Sequence, residues 1–256
     1  MMPEPILPPG FTLASFDTIA STNDEAKRLA AAGAPECTVA WARAQTAGRG
    51  RQDRAWDSPS GNLYCSVILR PDVTSVRAAT LGFVISLAAA DAIETLVPGL
   101  RVAFKWPNDV LLQGGKVAGI LLETGSGGAG SNNNNWVVAG CGINLSAYPE
   151  NTPYPATSIL AVTGKRVSAE DALHGYTAAL DVWYPRWRDS GFVPVREAWL
   201  KRAHPPGTPL AVRTATTNVA GTFQGLDEDG VLLLAGDAGR LHRIAAGDVY
   251  FASTTA

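Results

Sequence analysis

The sequence is poor in the residues that build disulfide bridges and metal sites. Its 256 residues include three cysteines and three histidines, and Cys37, Cys65 and Cys141 stand far apart in the chain. An odd number of cysteines without close pairing argues against a disulfide framework and against a structural zinc site. The same scarcity is typical of a reducing compartment, so we expect the protein to be cytoplasmic.

An excess of charge of one sign is also lacking. The net charge is −2, so no overall field would draw nucleic acid to the protein, and we expect no DNA partner. The first ten residues lack the basic and apolar pattern of a secretory signal. The apolar stretch at residues 80–96 carries Asp91 and Glu94, so we interpret it as a buried helix and expect no membrane partner.

Common catalytic and phosphate-binding signatures are missing as well. The chain contains no Walker-type phosphate loop and no dinucleotide fingerprint. His174, His204 and His242 are scattered over the sequence, and we interpret all three as structural or exposed. No Ser-His-Asp or Cys-His set can be argued from the spacing.

Helix and strand patterns alternate up to residue 204 and give way to short strands after it. We predict strands at 11–18, 39–44, 63–69, 101–104, 110–112, 116–123 and 136–145, and helices at 21–33, 76–97, 168–190 and 192–203. The strands between 101 and 123 suggest an antiparallel meander. Beyond Pro205-Pro206-Gly207, segments at 210–213, 220–226, 231–234, 241–243 and 249–251 predict a small β-barrel of roughly five strands.

This pattern divides the chain into three parts. Residues 1–10 are rich in proline and are predicted to form a disordered lead. Residues 11–204 form the predicted main domain, and residues 205–256 form the predicted barrel. Within the main domain, residues 125–135 run from glycines into four asparagines and predict a surface loop.

Residues 45–56 form an arginine-rich and glycine-rich segment, which we call the arginine loop. It carries Arg49, Arg51 and Arg54 among glycines and ends at Trp56. Glycine permits backbone angles that other residues avoid, and arginine supplies planar, permanently charged donors suited to phosphate. The segment therefore predicts a lid that closes on an anionic ligand, most simply a nucleotide. A solvated surface turn is the alternative.

A helix start precedes the arginine loop. Thr22 and Glu25 fit a capping box, and Gly33 fits the position just past the end of the helix. Capping alone explains the serine and threonine here. A helix N-terminus also offers free backbone donors to a polar ligand.

Two further polar clusters follow strands. Lys105 opens a Lys-Trp-Pro-Asn-Asp segment in which Asn108 offers a donor and an acceptor and Asp109 offers oxygen to magnesium. Lys116 follows two glycines and begins an apolar strand, and Asn144 ends another glycine-marked strand. Glycine within a strand often marks the close approach of a ligand. Plain turn residues and a solvated lysine are the alternatives.

Taken together, these motifs resemble the biotin protein ligase family. Their order and spacing match from about residue 11 over nearly the whole chain, and the arginine loop combined with the Lys-Trp-Pro-Asn-Asp motif is highly specific. The matching segments are Ser21-Thr22-Asn23, residues 45–51 with Arg54 and Trp56, residues 105–109, residues 115–123 and residues 142–144.

The resemblance implies an α+β fold with a central mixed β-sheet flanked by helices, as in class II synthetase-like biotin and lipoate ligases, and an SH3-like C-terminal β-barrel. It implies activation of biotin by ATP and Mg²⁺ to biotinyl-5′-adenylate. The biotinyl group would pass to a lysine of the biotin carboxyl carrier protein of acetyl-CoA carboxylase or a related carboxylase. Members are monomers or dimers, so a homodimer stays open.

Carried over by position, the resemblance implies three overlapping sets of site residues. The catalytic set is Lys116, Arg49 and Arg51. The biotin-binding set is Ser21, Thr22, Asn23, Gln45, Gly48, Arg49, Gly50, Arg51, Lys116, Gly119 and Gly142. The ATP and adenylate set is Arg51, Arg54, Trp56, Lys105, Asn108, Asp109, Lys116 and Asn144, with Asp109 as a magnesium ligand.

The chain departs from the family pattern at two points. Asp53 stands where many members have glycine, and its carboxylate could pair with Arg51 or Arg54 and alter closure of the loop. The ten residues before Phe11 leave no room for the helix-turn-helix domain of some members, so we expect a monofunctional ligase without repressor function.

Two other functions compete with this one. A lipoate protein ligase has a related fold but needs a narrow tunnel for a linear chain, and the arginine loop resembles the biotin branch more. A nucleic-acid-binding module could use Arg49, Arg51, Arg54 and Trp56 on phosphates and bases, with a steep dependence on salt. The acidic balance of the chain disfavours the second alternative.

Overall fold

A seven-stranded mixed sheet forms the centre of the larger part of the protein. The computed structural model describes residues 5–126, 134–152 and 154–251. The strands of this sheet lie in the order β1-β2-β3-β7-β6-β5-β4, with β1 and β2 parallel and the remaining neighbours antiparallel. The strands are β1 (Thr12–Ile19), β2 (Thr38–Gln45), β3 (Leu63–Leu69), β4 (Val102–Lys105), β5 (Asp109–Leu112), β6 (Gly115–Ser126) and β7 (Asn134–Ile143).

Helices cover both faces of the sheet, which confirms the predicted α+β fold with a central mixed sheet. Helix α1 packs on β2, β3 and β7, where Ala26 and Ala30 meet Ala40, Ile68 and Val138. The larger core cluster involves α3, α5 and α6. The helices are α1 (Thr22–Ala31), α2 (Ser75–Ala79), α3 (Leu81–Leu96), α4 (Ile159–Thr163), α5 (Ala169–Ser190) and α6 (Val193–Leu200).

The apolar stretch before residue 97 is a core element. The segment Ser75–Leu96 is long and apolar enough to cross a membrane by composition, but 78% of its most apolar window is buried inside the protein. The prediction of one helix over 76–97 is wrong in detail, because α2 and α3 are separate helices that meet at Thr80. The Thr80 hydroxyl donates to Arg77 O and accepts from Trp187 Nε1 at 2.8 Å, which fixes this junction.

The cap of α1 differs from the prediction. Ser21 is the N-cap and accepts from the backbone N–H of Asp24, so the predicted box of Thr22 and Glu25 is wrong. The Thr22 side chain instead turns toward β2, where it donates to Gln45 Oε1. The predicted glycine just past the helix end is present, since Gly33 has φ +88°.

The two segments predicted to lack regular structure are partly placed. Residues 1–4 lie outside the described part of the chain, whereas Ile6 O lies 2.7 Å from His174 Nδ1 and Leu7 packs against the core. The predicted surface loop at 125–135 is wrong at its ends, because β6 runs to Ser126 and β7 begins at Asn134. Its middle, residues 127–133, lies outside the described residues. The two strands extend because their ladder continues with Gly125 opposite Trp136.

A five-stranded antiparallel sheet follows the helices and matches the predicted number of C-terminal strands. Its order is β11-β10-β9-β8-β12. The strands are β8 (Pro209–Arg213), β9 (Asn218–Leu226), β10 (Leu232–Ala235), β11 (Leu241–Ile244) and β12 (Asp248–Phe251). The predicted hairpin turn before β10 is confirmed, because Asp227 Oδ1 accepts from Asp229 N and Val231 N. The domain boundaries at residues 10 and 205 stay predictions.

Two contacts dock the C-terminal sheet on the larger one. Trp106 Nε1 donates to Gly230 O at 3.0 Å, and Lys105 Nζ donates to Val249 O at 3.3 Å. Both donors are buried and belong to the Lys-Trp-Pro-Asn-Asp motif. This motif therefore supplies two of the contacts between the two sheets.

Candidate active site

One cavity of about 490 Å³ brings the predicted site residues together. It is lined by the start of α1, the arginine loop, strands β6 and β7 and the end of the C-terminal sheet. Of the predicted residues, those in its wall are Ser21, Thr22, Asn23, Gln45, Arg49, Gly50, Arg51, Arg54, Trp56, Lys105, Asn108, Asp109, Lys116, Gly119, Gly142 and Asn144.

Gly48 is the predicted residue that does not line the cavity. A Cβ on Gly48 would lie 2.5 Å from Ser58 Oγ and 2.9 Å from Gln45 Nε2, so glycine is required for packing beneath the loop. Its carbonyl accepts from Trp56 N at 2.9 Å and joins the two ends of the arginine loop. Gly48 thus has a structural role at the base of the loop, and its contact with biotin stays a prediction.

A network of hydroxyl and amide groups forms one wall of the cavity. Gln45 Oε1 accepts from Thr22 N at 2.8 Å and from Thr22 Oγ1 at 3.1 Å, and Gln45 Nε2 donates to Ser58 Oγ at 2.9 Å. Ser66 Oγ lies 2.6 Å from Asn23 Oδ1 and 2.8 Å from Thr22 Oγ1. These partners hold the side chains at fixed angles, and such fixed donors and acceptors suit a small polar ring.

Glycines of the two central strands form the floor of the cavity. Gly119 and Gly142 face each other across β6 and β7. The indole of Trp56 packs directly on this pair, because a Cβ on Gly142 would lie 2.7 Å from Trp56 Nε1 and a Cβ on Gly119 would lie 2.9 Å from the same ring. Trp56 Nε1 is buried and has no hydrogen-bond partner among the described residues. A buried donor of this kind favours an acceptor supplied by a ligand.

Two lysines share the carboxylate of Asp109. Lys116 Nζ lies 2.6 Å from Asp109 Oδ1, and Lys105 Nζ lies 2.7 Å from Asp109 Oδ2. Burial by itself would raise the pKa of Asp109, but the ammonium groups of Lys116 and Lys105 hold it below its ordinary value. Two cations against one buried anion leave the position positively charged, which suits a carboxylate or phosphate ligand.

A β-bulge places Lys116 on the cavity side of its strand. The pairing of β5 with β6 shifts between Val110 and Leu111, so Lys116 lies opposite Leu111. Regular alternation from Gly119 would instead put Val117 on the cavity face. Bulges often re-aim a side chain next to a site in this way.

The two lysines differ in how free they are. Lys105 is buried, and its ammonium group is shared among Asp109, Val249 O and the ring of Tyr154 at 4.0 Å. Lys116 is more exposed and lies 5.2 Å from the centre of the Trp56 ring. Lys116 is therefore the better placed of the two to bind a ligand.

Both carboxylate oxygens of Asp109, the predicted magnesium ligand, are in contact with lysines. Each of its carboxylate oxygens is in contact with an ammonium group, whereas Mg²⁺ requires free oxygen ligands. Within residues 5–126, 134–152 and 154–251, no group of three or more His, Cys, Asp or Glu side chains could hold a metal ion. Asp109 as a magnesium ligand therefore stays a prediction, and in this arrangement both of its oxygens contact lysines.

Arg49 is held by carboxylates at the edge of the cavity. Its Nη2 lies 2.5 Å from Asp24 Oδ1 and 3.1 Å from Glu123 Oε2. Glu123 also accepts from Lys27 Nζ and from Asn23 Nδ2 at 2.8 and 2.9 Å. These contacts anchor the first half of the arginine loop to α1 and β6, which makes Arg49 a positioning residue in this arrangement.

The second half of the arginine loop reaches the C-terminal sheet. Arg51 Nη1 donates to Asn108 Oδ1 at 3.2 Å and to Gly247 O at 3.3 Å, and Arg54 Nη2 lies 2.9 Å from Asp248 Oδ1. Burial lowers the pKa of Arg51, and the neighbouring Arg54 adds to this, although Asp248 opposes it. The loop is closed over the cavity by these contacts.

Asp53 does not take the partner that the sequence suggested. The ion-pair partner of Arg54 is Asp248, which lies in another sheet. Gln52 and Asp53 both have φ +55°, which lies in the left-handed region that glycine adopts without steric cost. The effect of Asp53 on the loop therefore comes from its backbone conformation.

The two asparagines near the lysines brace the wall. Asn108 Nδ2 donates to Ile120 O at 2.8 Å, and Asn144 Nδ2 donates to Thr157 O at 3.0 Å. Both residues line the cavity. Their amides hold loops against β6 and keep the position of Lys116 fixed.

The sequence did not reveal the following cavity or anchoring residues: Asp24, Tyr154, Arg213 and Asp248. Glu123, which also anchors the loop, stood in the sequence only at the end of a matching segment. Asp248 is 194 residues from Arg54, so no local spacing could join them. Charge complementarity between the loop and β12 was the one available signal.

Comparison with known proteins assigns the sequence to a family. The sequence profile of the biotin/lipoate A/B protein ligase family matches residues 15–144, and that of the biotin protein ligase C terminal domain matches residues 209–252. The chain belongs to the biotin/lipoate A/B protein ligase family.

Individual relatives agree with this assignment. This chain is 43% identical over 237 residues to the biotin–[acetyl-CoA-carboxylase] ligase of Paracoccus denitrificans, covering 90% of this chain and 97% of the relative. It is 33% identical to the bifunctional ligase/repressor BirA of Bacillus subtilis, covering 94% of this chain and 74% of the relative. The chain is therefore an enzyme of the ligase class.

A solved structure shares the fold of the ligase. The biotin protein ligase from Aquifex aeolicus in complex with biotin and ATP superposes with a TM-score of 0.80 at 25% identity, covering 94% of this chain and 98% of that one. Biotin and ATP are the molecules bound in that relative.

Proposed function

We propose that this ligase joins biotin to a lysine of a biotin carboxyl carrier protein in two steps, both in the cavity described above. In the first step a biotin carboxylate oxygen attacks the α-phosphorus of ATP, the bond to the β-phosphate breaks, and pyrophosphate leaves. In the second step the carrier lysine's amine attacks the acyl carbon, AMP leaves with the bonding electrons, and the amine proton passes to solvent.

One observation carries this proposal: a wall of neutral hydrogen-bonding groups and a cluster of cations line the same cavity. Thr22 and Gln45 present fixed polar atoms for a ring, whereas Lys116 and Arg51 present positive charge. An acid that has a neutral ring and a charged carboxylate needs both features in one cavity if it is to react with a nucleotide. The named relatives, which are biotin ligases, favour biotin as the acid.

The cations address the repulsion between the reactants. A carboxylate approaching a triphosphate meets like charge, and fixed cations aimed at the developing charge lower that barrier. Lys116 is placed to bridge the biotin carboxylate and the α-phosphate, and Arg51 covers the same space from the loop. The pair Lys105 and Asp109 holds Lys116 in place and does not contact substrate in this scheme.

The arginine loop has a second role after the first step. Biotinyl-5′-adenylate is a mixed anhydride, which water hydrolyses. A loop anchored at Arg49 and at Arg54 keeps water from the intermediate until the carrier lysine arrives. The anchors are the carboxylates of Asp24 and Glu123 on one side and Asp248 on the other.

The proposal also includes the carrier protein, the compartment and the metal ion, which the resemblance implies and no particular residue supports. The carrier would be that of acetyl-CoA carboxylase or a related carboxylase, the compartment would be the cytoplasm, and Mg²⁺ would accompany ATP. The resemblance leaves a homodimer open. The nucleic-acid alternative is weakened because the loop cations turn toward carboxylates in a cavity and not toward an open surface.

The test is the mass of a carrier domain after incubation with the ligase, ATP, magnesium and biotin. We expect the mass to rise by that of one biotinyl group, and the rise to depend on ATP. A parallel incubation with lipoate separates the competing ligase activity, and calorimetry with both acids gives their affinities. An unchanged carrier mass with biotin would contradict the proposal. Modification by lipoate alone would show that the protein is a lipoate ligase.

A further inference from the structure

Three arginines surround one carboxylate where the arginine loop meets the C-terminal sheet. Arg54 Nη2 lies 2.9 Å from Asp248 Oδ1, Arg213 Nη2 lies 3.8 Å from Asp248 Oδ2, and Arg51 Nη1 lies 4.0 Å from Asp248 Oδ1. All four side chains line the cavity. We call Arg51, Arg54, Arg213 and Asp248 the seam cluster.

The charges of the seam cluster do not balance. Three guanidinium groups face a single carboxylate, and two of the three contacts to it are near the outer limit of an ion pair. Guanidinium groups gathered in a partly buried space repel one another unless further negative charge is supplied. The lowered pKa of Arg51, caused by burial and by Arg54, agrees with incomplete compensation. The cluster therefore favours a multiply charged anion.

Arg213 is the member that the C-terminal sheet contributes to this positive charge. It stands opposite Asp248 in the pairing of β8 with β12. Its guanidinium lies 5.4 Å from the centre of the Tyr250 ring, and Tyr250 also lines the cavity. The side chain is 61% exposed, so it can turn from Asp248 toward an incoming anion at little cost. A planar guanidinium matches phosphate geometry well.

We propose that the seam cluster binds the terminal diphosphate of ATP, which leaves as pyrophosphate, and that Arg213 is a phosphate-binding residue supplied by the C-terminal sheet. This inference rests on the proposed function, in which Lys116 meets the α-phosphate. Asp248 keeps the three guanidinium groups gathered while no phosphate is bound. The β- and γ-phosphates then take over the contacts that Asp248 makes to Arg213 and Arg51.

The chain offers a matched control for Arg213. Arg243 lies in the same sheet, is equally exposed at 61%, and pairs with a carboxylate, Asp227. Arg243 is not in the wall of the cavity. Arg213→Ala and Arg243→Ala therefore remove the same kind of side chain from the same kind of surface, and only the first change touches the seam cluster.

The experiment is calorimetric titration of the full chain with inorganic pyrophosphate and, separately, with AMP. For Arg213→Ala we expect the Kd for pyrophosphate to rise about tenfold, since one charge-assisted contact to phosphate is lost. Arg213→Lys keeps the charge and should recover part of the affinity. The Kd for AMP, which lacks the terminal diphosphate, should stay at the parent value. Arg243→Ala should match the parent in both titrations.

Steady-state kinetics supply a second readout. Arg213→Ala should raise the KM for ATP and leave the KM for biotin unchanged. The inference is overturned if the parent does not bind pyrophosphate at millimolar concentration, or if Arg213→Ala and Arg243→Ala have the same Kd for it. A parent that binds pyrophosphate through Arg213 but leaves the carrier unmodified would contradict the proposed function and not this binding site.

Discussion

Lys116 and Asp109 form a 2.6 Å ion pair across β5 and β6, and the same carboxylate binds Lys105 on its other oxygen. The carboxylate holds two cations side by side in a cavity where each alone would be drawn toward water. The position of Lys116 thus depends on a bulge in β6 and on a buried anion, and both can be tested.

Replacement of Lys116 by alanine should slow formation of the adenylate. Removing one donor that stabilises transition-state charge typically costs about 100-fold to 1000-fold in rate, and we expect a loss in that range. The measurement is release of pyrophosphate in the presence of ATP and biotin. Lys201→Ala, at an exposed position beyond α6, serves as the control. A Lys116→Ala variant with the parent rate would exclude Lys116 from the first step.

Asp109 should make the stability of the ligase depend on acid. Its pKa is lowered in the folded chain, so its contribution is present above the ordinary carboxyl value of about 3.9 and is lost as the pH falls below that value. Asp109→Asn should cost about 3 kcal/mol at pH 7 because two ammonium groups lose their partner. The Asp109→Asn variant should also lose less stability than the parent as the pH falls further below 4, because it has no carboxylate to protonate at this position.

Thermal unfolding between pH 7 and pH 3 measures both effects for Asp109. Asp237→Asn, which removes an exposed carboxylate from the short helical turn between β10 and β11, controls for the loss of charge alone. If the Tm of Asp109→Asn falls as steeply in acid as that of the parent, the two lysines do not stabilise the ionised form.

Arg51→Gly should let the intermediate escape. The Arg51 side chain donates to Asn108 Oδ1 and to Gly247 O, and each bond contributes about 1 kcal/mol to keeping the loop closed. Release of biotinyl-5′-adenylate into solution should therefore be at least about tenfold faster. Chromatography of the free adenylate after a single turnover measures this. Equal retention by Arg51→Gly and by the exposed-site variant Arg240→Gly would contradict the role of the loop.

Asp53→Gly should make the closed arginine loop easier to form. Asp53 has φ +55°, and a left-handed conformation costs a residue with a Cβ about 1 kcal/mol. Trypsin cleaves after the loop arginines when the loop opens, so we expect slower cleavage in Asp53→Gly. Asp53→Ala removes the carboxylate but keeps the Cβ, and it should be cleaved at the parent rate. Faster cleavage of Asp53→Gly than of Asp53→Ala would show that flexibility of the open state dominates.

Much of the fold followed from local patterns in the sequence. Alternating strands, capped helices and the hairpin turn at Asp227 depend on neighbouring residues, and the structure places them within a few residues of the predicted bounds. The break at Thr80 did not follow, because it depends on Trp187, more than a hundred residues away in the chain. Distant partners decide such details.

The candidate site divides in the same way. The glycine-marked strands and the arginine loop were predictable because they carry their own motifs. The bulge that aims Lys116 depends on the pairing of two strands, and the anchors of the loop depend on Glu123 and Asp248 from other elements. The sequence indicates Asp109 as an oxygen ligand, but its spacing cannot show that both oxygens contact lysines.

The contact of Lys105 with Val249 joins residues that leave the ribosome far apart in time. The larger sheet and the helices that cover it end at Leu200, so this part can assemble while the C-terminal sheet is still being translated. The cavity wall is complete only after Asp248 and Val249 emerge and β12 pairs with β8. During translation the floor of the cavity is therefore formed before its wall is complete. Premature termination in the final strand would yield a folded larger sheet with an open site.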